Sequence, residues 1–536
     1  MIVKEFVKFA EEYEKYIAPK SRELHLKYFE ATVSGNPEDY QKISELEFEL
    51  SQYYSDKKKF EFLKKVKESG EVTETVLNRE LTLLYNEFAS HQFDKDLMKK
   101  IIDLSTELEQ TFSTYRAKIN DKEFTDNEID KILETSLNNA ELETAWKASK
   151  EIGEVISEKV IEVVKLRNEA ARQLGYENFH TMSLELSEQK PEDIISLLDD
   201  LDEMTSESFA QLKSEMDKKL SKRYSVDEKN LMPWHYQDKF FQQGPKIVDL
   251  DLDKYFSDKD IVELTRKYYN GIGLEIDDLI ENSDLYEKPG KYQHAYCTDI
   301  DREGDVRVLC NIKPNYKWMG TMLHEFGHAV YDKYIERKLP WELRTHAHIF
   351  ATEAIAMLFG RMAASPAWLH DVAGISEEEK NKISDDAALL LRTEQLVFSR
   401  WVQIIYRFES SMYADPDQDL NTLWWELVEK YQLLNKPAGR NKPDWASKIH
   451  VALYPAYYHN YILGEILASQ LYYYISEKVL VKDFPDDLSF AGEKNVGEYL
   501  KNLFFSYGAL YPWNELIEKA TGEKLTPKYY ARQFVV

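Results

Sequence analysis

Turn-forming residues are scarce in this chain, which has 19 glycines and 16 prolines among 536 residues. This is about half the share of these two residues in average globular proteins. Sandwiches and barrels of β-strands need many turns, so the scarcity disfavours an all-β fold, and it excludes a collagenous chain. Disorder is excluded by the 35 tyrosines, 25 phenylalanines and 10 tryptophans, because disordered segments contain few aromatic residues.

Cysteine and long apolar runs are also lacking. Cys297 and Cys310 are the two cysteines; they are too few for a disulfide framework, and we expect both to be thiols. No apolar run approaches the length of about 18 residues that marks a membrane-spanning helix, and the N-terminal segment lacks the apolar core of a signal peptide. We therefore expect a cytoplasmic protein with no membrane partner.

Basic residues are fewer than acidic ones: 69 Lys and Arg stand against 96 Asp and Glu, which gives a formal net charge of -27. Nucleic acids are bound through clustered Lys and Arg that contact phosphates. A chain this acidic is not expected to have nucleic acid as its main partner.

Apolar residues recur at intervals of three and four over most of the chain, which predicts amphipathic helices and a mainly α fold. The pattern covers 40–66, 77–92, 96–120, 138–175, 190–222, 380–412, 419–433, 456–478 and 493–506. We find no repeat of fixed period and no linker rich in Gly, Ser or Pro. The whole chain, 1–536, is therefore predicted to be a single domain, with a helical scaffold over 1–130 and a catalytic part over 131–536.

One short segment predicts strands instead. Between Lys288 and Ile312, two apolar runs flank the polar segment Arg302-Glu303-Gly304-Asp305. This arrangement is typical of a β-hairpin.

The hairpin precedes the most informative motif, His324-Glu325-Phe-Gly-His328. Histidines four residues apart project from one face of a helix and can bind one metal ion. Glu325 lies between them, rotated off the ligand direction, where it can take a proton from water at the metal. Apolar flanks indicate a buried helix, although HExxH also occurs by chance in ordinary helices.

A third ligand raises the significance of the motif. Glu353 is the one acid within the strongly apolar stretch 349–360. A charged carboxylate is costly there unless it is paired or binds a metal. His324, His328 and Glu353 form the His₂Glu set of catalytic zinc sites; the alternative for Glu353 is a buried salt bridge.

Two other groups have candidate roles. Tyr454, Tyr458 and Tyr461 would share one helical face and could donate hydrogen bonds to an oxyanion; an aromatic packing stripe is the alternative. His346 and His348 compete as zinc ligands by residue type and also suit the lining of a groove.

These residues resemble the zinc peptidases of the angiotensin-converting-enzyme (peptidyl-dipeptidase) family, related to the thimet oligopeptidase and oligoendopeptidase F families. The resemblance spans most of 140–475. The segments that carry it are 168–176, 287–289, 294–295, 324–331, 339–344, 352–355, 423–431 and 448–461.

The resemblance implies a helical ellipsoid divided by a deep channel, with one zinc ion per chain bound by His324, His328 and Glu353. Glu325 would be the general base. The other site residues that it implies lie elsewhere. Lys448, Tyr458 and Gln237 would hold the substrate's terminal carboxylate, His450 its backbone, and Tyr461 the oxyanion; His294 and Ala295 would pair with the peptide.

Two positions depart from the family pattern. Asn460 replaces an arginine that binds an activating chloride, which argues against chloride activation through this residue. Met357 replaces an aspartate that orients a zinc histidine, so another side chain must do so.

We therefore predict a zinc peptidase, a monomer or homodimer, that removes C-terminal dipeptides from short peptides. The alternatives are an oligoendopeptidase, a carboxypeptidase that releases single residues, and a non-catalytic protein that binds zinc or peptides. The charge of -27 leads to the further hypothesis that cationic peptides are preferred.

Overall fold

The computed structural model describes residues 1–482 and 487–535. Helices account for 69% of the residues, and the strands form two antiparallel sheets of two strands each. The mainly α prediction is therefore confirmed. Within the described residues, no helix has both the length and the apolar character needed to cross a membrane.

Long helices fill the first half of the chain. Its elements are α1 (Ile2–Ser34), α2 (Pro37–Tyr54), α3 (Lys57–Ser69), α4 (Thr75–Ala89), α5 (Lys95–Thr114), β1 (Ala117–Ile119), β2 (Lys122–Phe124), α6 (Asp126–Thr135), α7 (Asn139–Gln173), α8 (Phe179–Leu186) and α9 (Pro191–Tyr224).

The second half contains the other hairpin and the helices around it. Its elements are α10 (Ile261–Gly271), α11 (Asp277–Asn282), β3 (Tyr296–Asp299), β4 (Val306–Leu309), α12 (Tyr316–Lys333), α13 (Ile349–Gly360), α14 (Pro366–Trp368), α15 (Glu377–Ala414), α16 (Leu420–Gln432), α17 (Ile449–Leu453), α18 (His459–Tyr474), α19 (Lys494–Leu503), α20 (Trp513–Thr521) and α21 (Lys528–Phe534).

Two predicted helices differ from the structure, each for a local reason. The helix expected over 40–66 is divided in two, because the Asp56 side chain accepts the backbone N–H groups of Lys58 and Lys59 and caps the start of α3. The helix expected over 96–120 ends at Thr114. The β1–β2 hairpin follows it, and Asn120 and Asp121 form its turn with positive φ.

The chain forms two compact units. Unit 1 comprises Met1–Gln92, Leu250–Ala387 and Leu463–Tyr530; unit 2 comprises Phe93–Asp249, Ala388–Ile462 and the residues after Tyr530. The single domain expected over 1–536, with a scaffold part up to residue 130 and a catalytic part after it, remains a prediction.

Unit 1 contains the predicted hairpin and the motif helix. β3 pairs with β4 so that Cys297 lies opposite Val308, and the connecting turn contains Arg302 and Gly304 with positive φ. This confirms the hairpin. β3 and β4 both pack against α12, the helix with the two histidines.

Unit 2 has a core rich in tryptophan. The buried side chains of Trp146, Trp401 and Trp445 belong to α7, α15 and the turn before α17. They bring together chain segments that are far apart in sequence, including the one that contains Lys448 and His450.

Candidate active site

Helix α12 places both motif histidines on one face. It begins where the Asn315 side chain accepts the backbone N–H of Trp318, and its walls of Met322, Leu323 and Phe326 are fully buried. The rings of His324 and His328 lie 4.9 Å apart between centroids. Burial fixes the rotation of the helix and leaves the imidazoles pointing to one side.

Two glycines allow Glu353 to approach these histidines. A Cβ atom at Gly327 would lie 2.7 Å from the Ala356 Cα atom, so only glycine permits α12 and α13 to pack this closely. A Cβ atom at Gly464, in α18, would lie 3.1 Å from the Glu353 Cβ atom. Glu353 is thus held between two close helix contacts.

The three side chains converge on one point. Glu353 Oε2 lies 3.6 Å from His324 Nε2 and 3.8 Å from His328 Nε2. The ligand atoms of the three side chains all lie within 4.8 Å of one another. Among the described residues, no other group of three or more His, Cys, Asp or Glu side chains does so. Ligands of a tetrahedral zinc ion lie about 3.4 Å apart, so the donor set fits zinc.

A hydroxyl group orients His328. Its Nδ1 atom lies 2.7 Å from Thr352 Oγ1, which leaves Nε2 facing Glu353. Thr352 therefore occupies the orienting role that Met357 cannot fill. The sequence reasoning missed it.

Burial shifts the pKa of each charged group in this cluster toward the neutral form. It lowers the pKa of His324 to about 4 and raises that of Glu353 to about 7. The pKa of Glu325 rises to about 8, mainly through burial and secondly through the charge of Glu353. A divalent cation would offset these costs, because its charge stabilises both carboxylates.

The competing histidines make other contacts. The His348 Nδ1 atom accepts the backbone N–H of Phe350 and caps α13. The His346 ring lies 6.4 Å from the ring of Tyr331, and burial lowers its pKa to about 4. Neither residue belongs to the converging group.

His294 and Ala295 lie immediately before β3, not within it. The His294 side chain is exposed, and its ring lies 5.3 Å from that of Tyr292. Their role in pairing with a peptide remains a prediction. Cys297 and Cys310 are free thiols, and burial is the main cause that raises the pKa of each.

In unit 2, four predicted site residues form a second cluster. The His450 ring lies 4.9 Å from the Tyr458 ring, which lies 5.4 Å from that of Tyr461. Lys448 Nζ lies 5.3 Å from the centre of the Tyr458 ring. We call these four residues the Lys–His–Tyr cluster.

Tyr454 also contacts this cluster, because its ring lies 5.5 Å from that of His450. The chain is not helical between Leu453 and His459, because Pro455 and the positive φ of Ala456 interrupt the helix. Tyr454 is exposed, whereas Tyr458 is buried. The prediction that Tyr454, Tyr458 and Tyr461 share a helical face is therefore wrong, because Tyr454 and Tyr458 both precede α18.

Lys448 is a buried cation. Its side chain is 8% exposed, and Nζ donates a hydrogen bond to Gln242 Oε1 at 2.6 Å. It forms no ion pair with any of the described residues, and burial lowers its pKa to about 8. Lys448, Gln242 and Gln237 line one cavity of about 490 Å³.

Gln237 and Gln242 differ in the hydrogen-bond partners of their side-chain amides. Gln237 Oε1 accepts the backbone N–H of Lys246 at 2.8 Å, and its Nε2 contacts the Tyr224 hydroxyl at 3.4 Å. Gln242, which the sequence reasoning missed, contacts Lys448 directly. No motif identified it, because only the fold brings it to the lysine, 206 positions away.

Asn460 is buried, and its Oδ1 atom accepts a hydrogen bond from Gln189 Nε2 at 2.9 Å. A neutral amide thus stands where the resemblance implies a chloride-binding arginine. The expectation that chloride does not activate the protein through this residue remains a prediction.

Comparison with known proteins gives the class and the family. Residues 3–529 match the model of peptidase family M2, described as angiotensin-converting enzyme. The chain is 23% identical to an angiotensin-converting enzyme of Theromyzon tessulatum over 495 residues, which cover 85% of this chain and 79% of that protein.

Two further relatives match shorter stretches. An angiotensin-converting enzyme of Mus musculus is 25% identical over 43% of this chain and 18% of its own length. Thermostable carboxypeptidase 1 of Pyrococcus furiosus is 24% identical over 45% of this chain and 51% of its own length. The alignments thus span a small part of the mouse protein and about half of the archaeal one.

Because the family match covers almost the entire sequence, the chain is a zinc metallopeptidase. Within that class, it belongs to the angiotensin-converting-enzyme family.

Proposed function

We propose that this protein binds one zinc ion per chain and removes C-terminal dipeptides from short peptides. The family supports zinc peptidase activity; the dipeptide product and the substrate length are our proposal. The single observation that carries it is the environment of Lys448.

Lys448 forms no ion pair with a described residue, although Asp238 and Asp126 line the same cavity and raise its pKa from a distance. The ammonium group faces the rings of Phe240, Trp401 and Tyr458 at 5.3 to 5.6 Å and has an amide oxygen as its hydrogen-bond partner. Burying a charge is costly without a partner of opposite sign. A peptide's terminal carboxylate entering the cavity would provide one, and charge-assisted hydrogen bonds of this kind are strong.

The metal site would supply the chemistry. Zinc held by His324, His328 and Glu353 would act as a Lewis acid for water and for the scissile carbonyl. Once the cation has offset the cost of burying its charge, the Glu325 carboxylate would take the proton of the attacking water and pass it to the leaving amine. The Tyr461 hydroxyl would donate to the developing oxyanion, and His450 would hold the substrate backbone.

Product analysis on one peptide prepared with a free and with an amidated C-terminus tests the proposal. We expect dipeptides from the free acid, and a rate at least about tenfold lower for the amide, which cannot pair with Lys448. Equal cleavage of both forms at internal bonds would instead support the oligoendopeptidase alternative. Mass spectrometry identifies the products in each digest.

The carboxypeptidase alternative has one specific observation in its favour, because a relative of that printed name aligns with 45% of this chain. It requires single amino acids as the first products of the same digest. The non-catalytic alternative requires that no peptide be cleaved in the presence of zinc.

A further inference from the structure

The connection between α17 and α18, residues 454–458, lies between His450 and Tyr461. It contains Ala456, whose φ is 53°. A residue other than glycine rarely adopts this left-handed conformation, because its Cβ atom crowds the neighbouring carbonyl. The surrounding structure must therefore hold the connection in place.

Glu409, near the end of α15, holds Ala456 directly. Glu409 Oε1 accepts the Ala456 backbone N–H at 3.1 Å, and the Glu409 side chain is 2% exposed. Burial is the main cause that raises the pKa of this carboxyl, whereas the Ala456 N–H and the charge of Arg167 lower it.

Arg167, on α7, holds the other end of the connection. Its Nη1 atom donates to the Ala452 carbonyl at 3.2 Å and to the Tyr413 hydroxyl at 3.1 Å. Ala452 lies in the last turn of α17, where carbonyl groups have no partner within the helix. Arg167 is also buried. Two buried side chains of opposite charge therefore fix the backbone on both sides of the bend.

We propose that Glu409 and Arg167 are positioning residues for substrate binding: they fix Ala456 and Ala452 and thereby set the placement of Tyr458 and Tyr461 relative to His450. The inference rests on the proposed function for the roles of these three side chains. It adds two residues that do not touch the substrate.

Kinetics on three variants test this inference. Glu409→Gln keeps an oxygen that accepts the Ala456 N–H, and Glu409→Ala removes it. We expect kcat/KM to fall about 10- to 100-fold in the alanine variant and less than about threefold in the glutamine variant. The matched control is Gln403→Ala. Gln403 is equally buried on α15 and donates to the Leu198 carbonyl at 2.6 Å, so its loss should leave kcat/KM within about twofold.

A double-mutant cycle separates positioning from general structural damage. In a protein that already carries Tyr458→Phe and Tyr461→Phe, Glu409→Ala should cost less than about threefold, because the groups through which it acts are gone. An equal fold-loss in both backgrounds would overturn the inference. If the alanine variant does not fold, Arg167→Lys replaces it, because an ammonium group lacks the planar fork that reaches both Ala452 and Tyr413.

Limited proteolysis with chymotrypsin gives a readout that needs no peptidase activity. We expect faster cleavage after Tyr457 or Tyr458 in Glu409→Ala than in Gln403→Ala. Equal resistance of this segment in both variants would overturn the inference. If the wild-type protein cleaves no peptide, the proposed function fails, and this assay alone decides whether Glu409 holds the segment.

Discussion

The two candidate clusters of this protein have opposite charge requirements. In unit 1, the buried Glu325 and the partly buried Glu353 have pKa values raised to about 8 and 7, so the cluster favours a cation. In unit 2, the buried Lys448 has a pKa lowered to about 8, so the second cluster favours an anion. Zinc suits the first, and a peptide carboxylate suits the second.

The clusters also differ in construction. Two helices that a glycine allows to pack closely present the unit 1 ligands, and most of that geometry follows from helical spacing. The Lys–His–Tyr cluster depends on a non-helical connection and on side chains from distant helices. Variants of Glu325 should therefore change the chemistry, and variants of Lys448 should change substrate binding.

The largest expected effect is at Glu325. Glu325→Gln removes the proton acceptor and should lower kcat about 10³-fold, because general acid–base catalysis contributes about 10²- to 10⁴-fold. Zinc content, measured by atomic absorption, should be unchanged, and so should peptide affinity. An active variant would contradict the role of Glu325 and the contrast between the units.

Lys448→Gln should show the opposite pattern. Loss of a charge-assisted hydrogen bond of about 2 kcal/mol should raise KM for free-acid peptides roughly 30-fold, with zinc content unchanged. KM for amidated peptides should change little. Lys213→Gln is the matched control, because Lys213 is also a buried lysine but pairs with Asp217 at 2.8 Å. A KM that rises equally for both peptide forms would contradict the carboxylate role.

Thr352→Val tests the orientation of His328 and should have a smaller effect. It removes the hydroxyl 2.7 Å from Nδ1 and nearly preserves the side-chain shape. Such partners of metal ligands contribute about 10- to 100-fold in metal affinity, and we expect about tenfold weaker zinc binding in a chelator competition. Unchanged affinity would show that another group orients the imidazole.

The smallest expected effect is the pH dependence of the preference for free-acid over amidated peptides. Burial lowers the pKa of Lys448 to about 8, so the ammonium is charged below this pH and neutral above it. The preference for free-acid over amidated peptides should therefore be full at pH 7 and decline several-fold by pH 9. A ratio of the two KM values that stays constant over this range would indicate that Lys448 does not contact the carboxylate.

Much of the metal site was predictable from local sequence. His324, Glu325 and His328 lie within five consecutive residues. Glu353 was indicated because it is the single acid in the apolar stretch 349–360. Their roles remain predictions. Thr352 was not foreseen, because whether a hydroxyl faces His328 depends on the rotation of α13 about its axis.

The second cluster was less predictable. The sequence indicated Lys448, His450, Tyr458 and Tyr461 through a family resemblance, but not Gln242. Periodicity also misplaced Tyr454, since a three- and four-residue rule assumes an unbroken helix, and Pro455 and Ala456 break it.

The amino-acid sequence by itself determined the helical class, the β3–β4 hairpin and the spacing of the metal-binding motif, because these depend on interactions between residues close in the chain. Only the tertiary structure decided which distant side chains meet: Glu353 with the two histidines, Gln242 with Lys448, and Glu409 with Ala456. Those contacts depend on how closely helices pack and on which buried polar groups must find partners.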